Sequence, residues 1–239
     1  MSEATRRIVI TGANRGLGLA LATHLIARGD TVIATCRQPE EAAALQALEP
    51  AWLFPLDVSS PESIETFAGA LVAEGQGVDV LINNAGIDAT SLGIGEDERG
   101  VLDLAPEILL REVHINAVGP LLLTRALLPR LREGTRPLVM NVSSQLGSME
   151  VGRHHARDIG YNVSKAAMNM ITCALATHPD CGGVTSLTVH PGWVRTDMGG
   201  DQAPVSPAES AEGLVRILDN AELGMSGSFL DYKGAVHPW

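Results

Sequence analysis

Seven short apolar runs alternate along this chain with stretches of helical periodicity, and no other feature narrows the fold so far. The runs are RIVIT (7–11), TVIATC (31–36), AWLFPL (51–56), VDVLIN (78–83), RPLVMNVS (136–143), VTSLTVH (184–190) and GSFLDY (227–232). Most are continuously apolar and rich in β-branched residues, as strands buried on both faces are. Between them, stretches at about 17–26, 39–48, 61–74, 105–132, 160–177 and 207–219 read as helices. Strand, helix and strand within about thirty residues form a βαβ unit, which makes its two strands parallel. Repeated along the chain, the unit predicts an α/β fold: a Rossmann-type, doubly wound parallel sheet of seven strands with helices on both faces.

Residues 1–239 read as one domain, with a cofactor-binding half to about 140 and a catalytic and substrate half from 141. The stretches 88–104 and 197–209 are rich in Gly, Pro and polar residues and read as loops. Ligands of such sheets bind at the carboxyl ends of the strands.

Composition removes several classes of function. Hydrophobic residues make up 45% of the chain, enough for a sizeable core. Aromatics are only 3%, so that core must be aliphatic. The net charge of −11 argues against nucleic acid as a partner, because phosphate binding needs a basic face. No apolar run reaches the roughly 18–20 residues of a membrane helix, so a cytoplasmic protein is expected. Cys36, Cys173 and Cys181 are too scattered for a disulfide framework or a zinc site. They read as small hydrophobes in a reducing compartment, and no metal is expected.

The turn after the first run, Thr11-Gly12-Ala13-Asn14-Arg15-Gly16-Leu17-Gly18, opens a helix. Glycines there permit a tight turn and let backbone N–H groups approach a pyrophosphate at a helix N-terminus. An NAD site places Asp or Glu at the end of the second strand to hold the ribose 2′-hydroxyl. Here that strand ends Thr35-Cys36-Arg37, with no carboxylate. Arg37 and Arg15 are placed to flank a 2′-phosphate instead, so NADP(H) is the expected cofactor.

Tyr161 and Lys165 lie four apart at the start of an apolar helix, hence on one face. An ammonium beside a phenol favours phenolate, so the Tyr161 pKa is expected to fall toward the working pH. That is the tuning a general acid needs.

With TGANRGLG (11–18), LDV (56–58), NNAG (83–86), HINAVGP around Asn116, NVSS (141–144), YNVSK (161–165) and PGWVRTDM (191–198), the chain strongly resembles the short-chain dehydrogenase/reductase family in its compact branch. The ending GSFLDYKGAVHPW is similar to that of NADPH carbonyl reductases related to the C-factor and sniffer proteins. The resemblance implies an enzyme that reduces a ketone or aldehyde with NADPH. In it Tyr161 donates a proton to the developing alkoxide. Lys165 holds the nicotinamide ribose and lowers the Tyr161 pKa. Ser144, the second serine of its pair, bonds the substrate oxygen, and Asn116 fixes a water linking Lys165 to solvent. Around the cofactor it implies Gly12, Asn14, Arg15, Gly16, Leu17, Gly18 and Arg37, with Asp57 and Val58 at the adenine. Asn84, Ala85 and Gly86 line the adenosine ribose, and Pro191, Gly192, Val194 and Thr196 complete the site, the last two at the carboxamide. It implies a homodimer or homotetramer, a homodimer above all, although some carbonyl reductases are monomers, with the small-molecule carbonyl as the other partner.

A second reading, a nucleotide-binding regulator, fits the C-factor likeness but not the retention of the whole Asn-Ser-Tyr-Lys set. A sugar-nucleotide epimerase is disfavoured, since too few residues follow Pro191 to build a second domain.

The spacing from Ser144 to Tyr161 is longer than in many members of the family. The extra residues fall in 149–160, where Arg153, His154, His155 and Arg157 give a mildly cationic segment suited to an anionic substrate. His154 and His155 read as exposed loop residues rather than metal ligands, and His114 as a hydrogen-bonded helix histidine. Trp193 reads equally as a pocket wall or as core, and Trp239 as an anchor for the last residues. Met168 and Met170 read as packing or interface residues.

Overall fold

The structure, a computed structural model, describes residues 5–75, 77–154 and 156–239. Gln76, His155 and the side chain of Arg153 lie outside the described part. Seven strands form one parallel sheet: β1 (Arg7–Thr11), β2 (Thr31–Cys36), β3 (Trp52–Pro55), β4 (Val80–Asn83), β5 (Leu138–Val142), β6 (Thr185–His190) and β7 (Phe229–Asp231). Their order is β3-β2-β1-β4-β5-β6-β7, and every pairing is parallel. The chain winds outward from β1 to β3, then returns to place β4 on the other side of β1. The order therefore reverses between β1 and β4, and the ends of those two strands bound the crevice where such sheets take ligands.

Strand residues face alternate sides of a sheet, and here both sides are apolar. Ile8 and Ile10 of β1 pack with Leu21 and Leu25 of α1 (Gly16–Arg28) and Leu214 and Leu218 of α7 (Pro207–Asn220). Val9 points the other way, among Ile64, Phe67 and Leu71 of α3 (Pro61–Ala73) and Leu123, Leu127 and Leu131 of α5 (Gly119–Arg132). Each face thus has its own core, mostly aliphatic as the composition required.

The helix ends follow local chemistry. Ser60 Oγ accepts from Ser63 N ahead of Pro61, which starts α3 with a proline where no N–H is needed. Gly29 closes α1 at φ 96°, a left-handed conformation that a side chain would strain. Between β2 and β3 the structure has only a short 3₁₀ turn at Pro39–Glu41 and a short helix α2 (Ala43–Gln46), less than the expected 39–48 helix.

The long helix expected over 105–132 is interrupted. It runs as α4 (Pro106–Val113), a π-turn at His114–Val118, and α5. Pro120 has no N–H to give the Asn116 carbonyl the bond an α-helix would supply. The bond instead runs from Gly119 N–H to the His114 carbonyl. The helix α6 (Ile159–Thr177) packs against β6 and α4.

Candidate active site

The glycine-rich turn is held in place from β4. The Thr11 hydroxyl accepts from Asn84 N–H at 3.0 Å and Ala85 N–H at 2.9 Å. The Asn84 amide donates back to the Thr11 carbonyl at 2.9 Å and to that of Gly12 at 3.2 Å. Gly12 (φ 65°) and Gly16 (φ 54°) supply left-handed turns. Gly18 is required by space: a Cβ there would overlap the Gly12 carbonyl and come within 2.6 Å of the Asn84 amide. Arg15, at the N-cap of α1, makes no side-chain capping bond, so the first N–H groups of α1 stay available to an anion.

This cradle forms one end of a cleft of about 1100 Å³. Every cofactor residue expected from the sequence lines it: Gly12, Asn14, Arg15, Gly16, Leu17, Gly18, Arg37, Asp57, Val58, Asn84, Ala85, Gly86, Tyr161, Lys165, Pro191, Gly192, Val194 and Thr196. Arg37 is exposed at the rim, and Arg15 pairs across the cleft with Asp197. Burial raises the Asp57 carboxyl, but two bonds from Ser59 and the charges of Arg37 and His114 outweigh it and hold the group below its ordinary range. His114 is hydrogen-bonded through Nε2 to the Ser59 carbonyl at 2.9 Å.

The other end of the cleft holds Ser144, Tyr161 and Lys165. Tyr161 and Lys165 stand one turn apart at the start of α6, with Lys165 Nζ 5.5 Å from the centre of the Tyr161 ring. The ammonium donates to the Val142 carbonyl at 2.9 Å, and burial pulls its pKa down to about 8. Ser144 bonds the Tyr161 hydroxyl, and its Oγ accepts from Leu146 N–H at 3.1 Å. Ser143 turns away and donates to Asn169 Oδ1 at 2.7 Å. Of the two serines only Ser144 lies beside Tyr161.

One feature departs from the sequence reading. The Tyr161 pKa is raised rather than lowered: burial dominates, and the charges of Asp88, Glu112 and Asp158 add to it, while the bond with Ser144 opposes. Asn116 is fully buried and does not line the cleft. Its amide nitrogen donates to the Ile87 carbonyl at 2.8 Å and to Ser164 Oγ at 2.9 Å, while its oxygen accepts from Ile87 N–H at 2.8 Å. The side chain therefore anchors the backbone after β4.

A family model described as short chain dehydrogenase matches residues 6–205. The chain belongs to the short-chain dehydrogenase family. Among curated relatives, the C-signal of Myxococcus xanthus is 39% identical over 68% of this chain and 93% of its own length. Two solved members share the architecture. A carbonyl reductase from chicken fatty liver, solved with NADPH bound, matches at a TM-score of 0.89 and 33% identity, over 99% of this chain and 100% of its own. The carbonyl reductase Sniffer of D. melanogaster matches at 0.87 and 29%, with the same coverage of both chains. The relation establishes an oxidoreductase of this family.

Within that frame the remaining short-chain dehydrogenase features fall into place. Trp193 is half-exposed, lines the cleft and donates to the Gly199 carbonyl at 2.8 Å, so it is a wall and not core. Arg157 pairs with Glu96, His154 is exposed, and His155 lies outside the described residues. The cleft wall beside Tyr161 carries Asp88 and Asp158, with Arg99 bound to Asp158 at 2.9 Å. Met168 is buried and Met170 exposed. Trp239 packs on Phe229, and its carbonyl accepts from Glu150 N–H at 3.0 Å, tying the last residues to the 149–160 segment. Among the described residues no three His, Cys, Asp or Glu cluster as metal ligands, and no helix is long and apolar enough to cross a membrane.

Sequence reasoning missed Asp197 and the carboxylates gathered behind Tyr161. Asp88, Glu112 and Asp158 come from separate stretches of chain, and no spacing joins them.

Proposed function

We propose that the protein reduces a ketone or aldehyde to an alcohol with NADPH, using Tyr161 as proton donor. The observation that carries this is the continuity of one cleft from the N-terminus of α1 to the Ser144–Tyr161–Lys165 group. A dinucleotide spans such a distance, and its two ends need these two chemistries.

The residues present fit the cofactor. A pyrophosphate meets the uncapped N–H groups of α1, where Gly18 leaves the room a side chain would fill. Arg37 and Arg15 would bind a 2′-phosphate, with Arg15 exchanging Asp197 for it. When bound, NADPH supplies the hydride. The chain supplies position, a proton and stabilisation of the oxyanion. Ser144 and Tyr161 offer hydroxyl donors to a carbonyl oxygen placed between them. As negative charge develops on that oxygen, Tyr161 passes its proton across. The raised Tyr161 pKa keeps the phenol protonated at neutral pH, so that a proton is there to donate. Lys165, already inclined to share its proton, lies close enough to assist recharging. Asn116 acts by fixing the Ile87 backbone.

The kinship with C-signal favours a second reading, a nucleotide-binding regulator with little turnover. The intact Ser144–Tyr161–Lys165 group supports catalysis over it. The test follows loss of NADPH absorbance over a panel of activated ketones, aldehydes and diketones, with NADH as control. Turnover that disappears in Tyr161→Phe supports the reductase. Tight NADPH binding without turnover on any carbonyl points to the regulator.

A further inference from the structure

Glu112 lies at the end of α4, outside the cleft lining, and is fully buried. Neither carboxyl oxygen has a hydrogen-bond partner of normal geometry. Its Oε2 lies against Gly160, so closely that a Cβ on that glycine would overlap it. The next residue is Tyr161. The carboxyl is thus wedged beneath the first turn of the helix that carries the proposed proton donor, and its charge is felt at the phenol.

The groups that face it come from each surrounding element. Asp88 follows β4, Arg99 lies further along the same connection, and Asp158 caps α6. Arg99 is committed to Asp158 at 2.9 Å and to Thr90 Oγ1 at 2.7 Å. Burial and the charge of Asp88 push the Glu112 carboxyl up to about 7. Asp158 adds to this, while Ala89 N–H and Arg99 pull the other way. A leucine would fill this position without the cost of burying an unpaired acid. An acid kept at that cost, one residue from the donor's backbone, has a use in the chemistry.

We propose that Glu112 is a positioning residue: it supports the start of α6 beneath Tyr161 and, through its own charge, sets how readily Tyr161 gives up its proton. Protonated, it is a neutral neighbour and Tyr161 is the stronger acid. Ionised, it holds the phenolic proton more tightly, so carbonyl reduction slows as pH rises through the Glu112 titration. The inference rests on Tyr161 as the proton donor.

The test uses the full chain with NADPH and an aromatic ortho-quinone as probe carbonyl. The pH dependence of kcat/KM is compared for wild type, Glu112→Gln, Glu112→Asp and Tyr161→Phe, beside carbon-13 NMR of the glutamate carboxyls. In wild type, kcat/KM falls about tenfold through an inflection that coincides with a glutamate titrating near pH 7. The inflection is absent from Glu112→Gln and kept by Glu112→Asp. Superimposable profiles for wild type and Glu112→Gln overturn the proposal, as does the absence of any glutamate titrating near neutrality. Should Glu112→Gln not fold, wild type alone decides, by agreement or disagreement of the kinetic and NMR midpoints. Turnover retained in Tyr161→Phe, or none in wild type, sinks the proton-donor reading and this inference together. An inactive Tyr161→Phe beside an unaltered Glu112→Gln profile strikes down Glu112 alone.

Discussion

The cofactor cradle and the corner around Tyr161 share one cleft but are built on opposite terms. In the cradle, shape does the work. Thr11 and Asn84 satisfy one another and the turn, and glycines leave room where a ligand's phosphates must approach. In the corner, charge does the work. Lys165 is buried with a single carbonyl partner, neither Glu112 oxygen has a hydrogen bond of normal geometry, and Tyr161 sits among three carboxylates. Satisfied polar networks rigidify a fold, whereas buried unsatisfied groups shift their proton affinities. On the function proposed above, the first region holds a molecule still and the second moves a proton.

The sharpest way to break this contrast is at the phenol. Tyr161→Phe removes one oxygen and is expected to lower kcat by about 10²–10⁴-fold, leaving the NADPH dissociation constant within about threefold of wild type. Rate and fluorescence titration together check both halves. Equal loss of binding and rate would erase the division of labour. Gly18→Val attacks the cradle instead. Overlap with the Gly12 carbonyl is expected to cost about 1–3 kcal/mol of stability and to abolish NADPH binding, as read by urea unfolding and calorimetric titration.

How the two regions read from sequence follows the same division. Gly12, Gly16 and Gly18 are legible because each backbone demand falls on one residue within a local turn. Tyr161 and Lys165 are legible because helical spacing pairs them. The α/β alternation fixed the parallel sheet for the same reason, since each βαβ unit is local. The Tyr161 shift was expected in the wrong direction because the depth of its burial, and after it the convergence of Asp88, Glu112 and Asp158, exist only in three dimensions. The partners of the Asn116 amide, Ile87 and Ser164, likewise meet it only in the fold. Ser143 and Ser144 differ only in which way the chain turns after β5; the family resemblance picks Ser144, and the fold turns Ser143 to Asn169.

Two smaller effects sharpen the comparison. Glu112 titrates near its ordinary 4.5 when unfolded and near 7 in the fold, so the fold holds this proton more tightly. Its contribution to stability is complete below the lower value and is lost as pH rises through the upper one. Relative to Glu112→Gln, wild type is expected to lose roughly 3 kcal/mol across that window, measured by urea unfolding on either side of it. A constant difference would mean that the corner stores no such proton. Smallest is the rim of the cradle. Arg37→Ala is expected to weaken NADPH by about tenfold while leaving NADH unchanged, in paired binding titrations. Equal weakening of both cofactors would show that Arg37 reads something other than the 2′-phosphate.

The π-turn at His114–Val118 can be understood as a phase shift. Each α-helical residue advances the helix by about 100°, so the turn's one extra residue rotates α5 out of step with α4 by that amount. The two halves thereby address different targets. Glu112 of α4 is turned toward Gly160, while Leu123, Leu127 and Leu131 of α5 are turned to the sheet. A continuous helix through this sequence would satisfy one set of neighbours and misdirect the other. Deleting a single residue here would leave composition and helical propensity almost untouched, yet it would swing the acid out from beneath the donor or the leucines off the sheet.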